Sequence, residues 1–353
     1  MWCGPALIAW HRVAMEVRRI DPGDEAAFDA WYAVLRATDF EHWPELGGWT
    51  RREANALARP DQAAIEYHCL SALDAKGATI GIVLIEVPRR ENRHSVSLDV
   101  RVDRAHRRRG VGTALVAEVE RRAAADGRSV LNGLFEVPTA MLESHGAEAF
   151  ARRLGFVRTQ AGNRRHLTLP LDAARRASVA EDVEKAAVGY RMHTFMAPWP
   201  KEYLADQCEL GRRMSTDAPS GDERHEEEVW DAARVEEMDR WMVAAGMRKL
   251  VAVAEHVESG RLVAFSEVAL PQDHPHEGWQ WATLVLREHR GHRLGLAVKL
   301  ANLDALASTL PAVTLISTGN AQENIPMIAV NDMLGFVVVA TGTFWQKELV
   351  PSP

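Results

Sequence analysis

The sequence predicts an α/β (α+β) protein made of two similar units in tandem, and three observations carry that reading. Residues 96–119 read as a strand, a turn and a helix: Val96, Leu98, Val100 and Val102 alternate with Ser97, Asp99 and Arg101, then Val111, Leu115 and Val119 recur every fourth residue. The same succession returns over residues 279–306, and each half then reaches a Leu-Gly-Phe, at 154–156 and 334–336. Val102 and Val285, which end the strands before the two turns, lie 183 residues apart, and Gly155 and Gly335 lie 180 apart. Such near-constant register argues for an internal duplication, and 353 residues suffice for two domains.

In chain order, residues 13–20 predict a strand. Residues 24–37 predict a helix capped by Asp24, with Phe28, Trp31 and Leu35 on one face. Residues 40–49 read as a loop, and 51–58 as a helix stopped before Pro60. Strands follow at 65–73 and 79–87, joined by a turn at 74–77, and then the strand, turn and helix above, ending near Asp126 with Gly127 beyond it. A strand at 129–136, a short helix at 148–153 and a strand at 164–169 close the unit. Residues 172–187, rich in Ala and charge and free of Pro and Gly, predict a helical linker. The second half predicts strands at 190–195, 250–256, 262–270, 279–286 and 313–318, helices at 201–213, 223–245 and 326–334, and a helix that follows the turn at 287–295 and runs to about 306. The expected layout is an N-terminal extension at 1–14 that is disordered (Met15 being an alternative start), domains at 15–171 and 188–353, and the linker between them.

Composition narrows the function classes. A net charge of −7 argues against a general nucleic-acid binder, and no apolar run approaches the roughly 18 residues of a membrane span. Cys3, Cys69 and Cys208 are far apart and show no metal or redox spacing, so no metal site is expected and a reducing cytoplasm is the simplest setting. The apolar start lacks a basic flank, so no signal peptide is expected.

The turn at 107–113 is where chemistry is expected. A glycine-bearing turn at a helix N-terminus aims free N–H groups and the positive end of the helix dipole at one spot, which suits a phosphate. Arg107, Arg108 and Arg109 add charge; the same residues also read as a solvated basic loop. Neither a Gly-Lys-Ser/Thr loop nor Gly-x-Gly-x-x-Gly is present there.

The pattern Arg107-x-x-Gly110-x-Gly112 after a strand resembles the pyrophosphate loop of the GCN5-related N-acetyltransferases (GNAT). With the second half's His289-Arg-Gly-His-Arg-Leu-Gly295, Asn320, Asn324, Met327, Asn331 and Leu334-Gly-Phe336, almost the whole chain resembles a tandem GNAT protein of actinobacterial type, similar in layout to the mycothiol synthases. The resemblance implies two domains, each with a mixed, mostly antiparallel central sheet flanked by helices. It implies acetyl-CoA or another acyl-CoA as donor, a small-molecule primary amine as acceptor, direct attack without a covalent enzyme intermediate, and a monomer or homodimer. The implied donor site is Val100, Val102, Arg107, Arg108, Arg109, Gly110, Val111, Gly112 and Thr113, with Val285, Arg290, Gly291, His292, Arg293, Leu294, Gly295 and Asn324 in the second half. Arg293 stands where the pattern has its first glycine, and Ala151 and Asn331 stand where many relatives carry a tyrosine acid; Asn331 donates a hydrogen bond but is no acid.

For the base, Glu267 lies in an apolar strand, and Glu277 precedes the next one with His274 and His276; each also reads as a solvent-facing group. Asp217 sits in the loop that covers the acceptor in GNAT folds, or is plain turn chemistry. Trp199 and Trp230 are candidate pocket walls. These placements tilt chemistry to the second half and the cleaner glycine turn tilts it to the first. The alternatives are a non-catalytic CoA-binding or structural tandem protein, and a longer-chain acyltransferase.

Overall fold

The computed structural model describes residues 15–43, 46–59, 63–142, 146–217, 219, 221 and 224–349. The expected extension at 1–14 lies outside them. The first half runs β1 (Glu16–Arg19), α1 (Glu25–His42), α2 (Arg51–Ala58), β2 (Ile65–Leu73), β3 (Thr79–Pro88), β4 (Ser95–Val102), α3 (Val111–Ala125), β5 (Val130–Pro138), α4 (Ala147–Arg153) and β6 (Val157–Thr168). Helix α5 (Ala173–Ala186) leads to β7 (Tyr190–Met196), α6 (Leu204–Asp217), α7 (Ala232–Ala245), β8 (Met247–His256), β9 (Arg261–Pro271), β10 (Glu277–Val285), α8 (Leu294–Thr309), β11 (Leu315–Ala321), α9 (Ile325–Leu334) and β12 (Val337–Glu348).

Local chemistry fixes the ends. The Asp24 side chain accepts from the Ala27 N–H, and Thr50 and Glu53 form a capping box that starts α2. Helix α1 runs five residues past its predicted end, because nothing between Thr38 and His42 breaks it and the Thr38 hydroxyl bonds back to the Val34 and Leu35 carbonyls. The helix expected over 223–245 begins only at Ala232, and residues 224–231 have no regular secondary structure. They dock on the turn after β3, where the Glu226 N–H donates to Asn92 Oδ1 (2.8 Å) and the Val229 N–H to Glu91 (2.8 Å).

The twelve strands form one sheet in the order β1-β2-β3-β4-β5-β12-β6-β11-β10-β9-β8-β7. All neighbours are antiparallel except β4/β5 and β10/β11. The order reads the same from both edges when each strand is exchanged for its counterpart six later, so a pseudo-twofold axis passes between β12 and β6. The two halves trade their last strands: β12 pairs with β5 and β6 pairs with β11. Trp345 of β12 is accordingly sunk among Leu115, Val116, Leu131 and Phe156 in the first half's core. Leu296, Leu300, Leu303 and Leu306 of α8 pack on Val268, Leu270 and Ile316 in the second, and Val179 of α5 joins them. Burying aliphatic side chains of this kind stabilises by about 1.5–3 kcal/mol each.

Candidate active site

Strand β4 stays paired with β3 as far as Gly81 and Val102, but it leaves its parallel neighbour β5 after Leu98 and Gly133. Beyond that point the two strands diverge. The Asp103 N–H donates to Ile80 of β3 (3.1 Å), so by strand alternation Val100 and Val102 turn their amides into the gap. Arg107 seals the gap's end. Its Nε donates to the Val102 carbonyl (3.0 Å), and its other two nitrogens grip both oxygens of Glu41 on α1 (3.0 and 2.6 Å). That hydrogen bonding holds the Glu41 carboxyl below the usual carboxylate range.

The turn that follows places two residues in the left-handed region, Arg108 (φ 62°) and Gly110 (φ 88°). Gly110 has open space around it, so its conformation, not crowding, favours glycine. A Cβ on Gly112 would lie 3.1 Å from Phe150, so glycine there lets α3 begin close against that ring. The side chains of Arg108 and Arg109 make no hydrogen bond or ion pair among the described residues, and the turn opens on a cleft of roughly 2560 Å³. Free N–H groups, unpaired guanidiniums and room for a ligand fit the diphosphate of an acyl-CoA.

The second turn repeats this backbone with its side chains permuted. Gly291 (φ 90°) stands for Arg108, and Arg293 (φ 54°) for Gly110. Arg290 Nε donates to the Val285 carbonyl (3.2 Å) as Arg107 does to Val102. The Leu286 N–H donates to Val263 (2.9 Å), leaving Val285 facing the gap, and β10 leaves β11 after Trp279 and Ser317. The αL position therefore tolerates arginine, whose guanidinium lies 3.5 Å from Met333 Sδ. Asn324, expected among the donor ligands, is the N-cap of α9, its side chain accepting from the Met327 N–H.

Past Val100 the first cleft widens over a floor of Tyr67, Glu86, Ser97 and Asn132, successive cross-strand partners on β2, β3, β4 and β5. Glu86 has no hydrogen-bond or ion-pair partner among the described residues. Burial pushes its carboxyl up, and the nearby Glu228 carboxylate adds to the shift. Burial likewise raises the Tyr67 phenol, with Glu86 contributing. Trp43, Trp49 and Trp279 stand around this chamber.

The residues expected to do chemistry in the second half are otherwise engaged. Glu267 is closed into an ion pair with buried Lys249 (2.7 Å) and accepts from the Trp199 indole (3.4 Å). Trp199 is thus a core residue, stacked edge-on to Phe195 and Phe265, and not a pocket wall. Trp230 packs against Gly211, under the Arg234 guanidinium, with its indole on Glu228. Asp217, whose side chain is 2% exposed, is held by Arg287 (3.1 Å), Arg290 (2.9 Å) and Arg213 (3.5 Å), so no face is left for a cationic acceptor. Asn331 is fully buried, accepting from Lys299 (2.9 Å) and donating to Asn320. Glu277 accepts from the Gly47 N–H of the first half (2.6 Å). Counting along β9 from the Val285 partner Ala264, as along β3 from the Val102 partner Gly81, the counterpart of Glu86 is Ala269.

Sequence reasoning missed Glu86, Tyr67, Asn132, Trp43 and Trp279. The signal for Glu86 was available: a lone acid closing an apolar strand, the same signal that singled out Glu267.

Residues 28–156 match the Acetyltransferase (GNAT) family. Over its full length the chain is similar to a tandem GNAT protein from the clavulanic acid biosynthesis pathway, with 27% identity, a TM-score of 0.78, and 96% of this chain and 100% of that chain covered. It shares its fold with a GCN5-related N-acetyltransferase from Sphaerobacter thermophilus (15% identity, TM-score 0.64, covering 96% and 97% of the two chains). N-myristoyltransferase of Saccharomyces cerevisiae is a more distant fold relative (14%, 0.56, 97% and 80%). No curated protein matches. These likenesses are to GNAT acetyltransferases, a family of enzymes that use an acyl-CoA as donor. The chain has the doubled fold of that tandem GNAT protein, and residues 28–156 match the family's sequence pattern. No helix among the described residues is long and apolar enough to cross a membrane, and no cluster of three or more metal-ligating side chains is found among them.

Proposed function

We propose that the chain is an acetyl-CoA-dependent N-acetyltransferase for a small primary amine, working in its N-terminal half. One observation carries this: an unpartnered carboxylate, Glu86, lies on the floor of the same cleft into which the Arg107–Thr113 turn opens. The donor, when bound, supplies an activated thioester. The N–H groups at the start of α3, with Arg108 and Arg109, hold its diphosphate. The amides of Val100 and Val102 face the gap where a thioester oxygen gains charge, and hydrogen bonds aimed at that point lower the barrier. Glu86 takes the proton from the acceptor ammonium; its raised carboxyl makes it a stronger base than an ordinary glutamate. The freed amine then attacks the thioester carbon directly, the carbon–sulfur bond breaks, and CoA leaves as a thiolate that takes its proton from water. The second half keeps the turn's backbone but has Ala269 in place of a base and a closed Lys249–Glu267 pair, which supports a scaffolding part for it.

Calorimetric titration of acetyl-CoA into the full chain tests this. One site per chain, abolished by Gly110→Glu, is the expected result, with CoA released on mixing with some member of a panel of primary amines. A single site that survives Gly110→Glu moves the donor to the second turn and refutes the assignment.

A further inference from the structure

Between α1 and α2, Trp43 and residues 46–49 stand at the chamber that holds Glu86, and Gly47 among them is held by the other half of the chain. Trp43, Leu46, Gly48 and Trp49 of this segment line the cleft. Gly47, between them, donates its N–H to Glu277 at the head of β10 (2.6 Å). It also lies so close to His274, in the turn after β9, that a Cβ on it would stand 2.2 Å from the imidazole. Glycine there is demanded by a neighbour 227 positions further along the chain. Arg164 of β6 completes the junction. Its guanidinium is sandwiched between Trp43 (5.6 Å) and Trp279 of β10 (5.0 Å), donates to Glu136 (2.7 Å), and reaches the Ser317 hydroxyl of β11 (3.2 Å).

Resting on the N-acetyltransferase reading, we infer that the acceptor site is shared: the C-terminal half clamps the α1–α2 loop through Glu277 and His274 and supplies Trp279 as the chamber's far wall. Glu277 is a positioning residue in this arrangement. It touches no reacting atom, and acts by holding Gly47 so that Trp43 and Trp49 stay over Glu86. The duplicated half is then an integral part of the first half's acceptor specificity. The reciprocal junction exists, Glu91 and Asn92 holding residues 226–229.

Hydrogen exchange on the full chain, with and without acetyl-CoA, reads the clamp without needing turnover. In Glu277→Ala the amides of residues 46–50 exchange at least about tenfold faster, because a charge-assisted hydrogen bond is lost, while those of 107–113 keep the wild-type rate. Glu277→Gln, whose amide oxygen still accepts from Gly47, restores most of the protection. In steady state, with the amine of the panel that wild type acetylates fastest, Glu277→Ala raises KM for that amine several-fold and leaves KM for acetyl-CoA unchanged, and Glu277→Gln recovers it. Unchanged exchange at 46–50 in Glu277→Ala, or an equal rise at 107–113, overturns the clamp. Failure of wild type to acetylate any amine overturns the enzymatic reading instead, and the exchange result then stands alone on the clamp.

Discussion

Lys299 gives the second half a stability that rises with pH. It sits on α8, wholly enclosed, with its ammonium on Asn331 Oδ1 (2.9 Å) and over the Phe336 ring (5.4 Å). Burial without a countercharge pushes its pKa from 10.5 down to about 7. Between those values the unfolded chain holds a proton that the folded chain lacks. Stability from this group is therefore greatest above pH 10.5, falls as pH drops toward 7, and is flat below. The slope is at most about 1.4 kcal/mol per pH unit, and the whole span amounts to about 4–5 kcal/mol. Lys299→Met keeps the packing volume and removes the titration, at a cost of about 1–3 kcal/mol for leaving Asn331 Oδ1 without its donor. Denaturant unfolding of both proteins at half-unit steps from pH 6 to 9.5 measures the difference. Wild type should gain about 2–3 kcal/mol on the variant between pH 7.5 and 9.5. Parallel curves would show that Lys299 titrates as an ordinary lysine and refute the account of its burial.

The remaining expectations concern the site and its frame. Glu86→Gln should lower kcat/KM by about 10²–10⁴ without changing acetyl-CoA affinity by calorimetry, and the wild-type kcat/KM should rise with pH through a carboxyl pKa above the ordinary glutamate value. Glu267→Leu should leave the acetylation rate within a few-fold of wild type yet cost about 3–5 kcal/mol in denaturant unfolding, because Lys249 stays buried without its partner; a collapse of rate with intact stability would return Glu267 to the mechanism. Trp345→Ala should cost about 3–5 kcal/mol, and hydrogen exchange should locate the loss in α3 and β5, in the other half from the substitution.

Most of the elements were legible because their signals are local. The Asp24 cap, Gly127 beyond α3 and Leu-Gly-Phe at 334–336 each depend on neighbours a few residues away. The first turn was legible for the same reason. The trade of β6 and β12 was not, because an alternating strand carries no mark of which edge it will join. Nor was the fate of Glu277, Asp217 and Asn331. Each is a polar residue whose partner comes from another element, Gly47, Arg290 and Lys299 respectively, and a carboxylate or amide waiting for such a partner looks in sequence like one waiting for a substrate. Glu267 has Lys249 on the adjoining strand and the Trp199 indole for partners where Glu86 has none, and that is a fact of the packing between elements and not of either strand alone.

The exchanged strands also set a timetable for synthesis. When β5 leaves the ribosome its outer edge has no neighbour, for the strand that covers it is made roughly 200 positions later, or about 10–40 s at ordinary elongation rates. Over that interval the first half has its turn, its cleft and Glu86 in sequence but lacks Trp345 in its interior. The nascent chain must therefore carry an open edge until β12 arrives, and a transcript truncated anywhere before β12 yields a first half that exposes this edge to any other strand it meets.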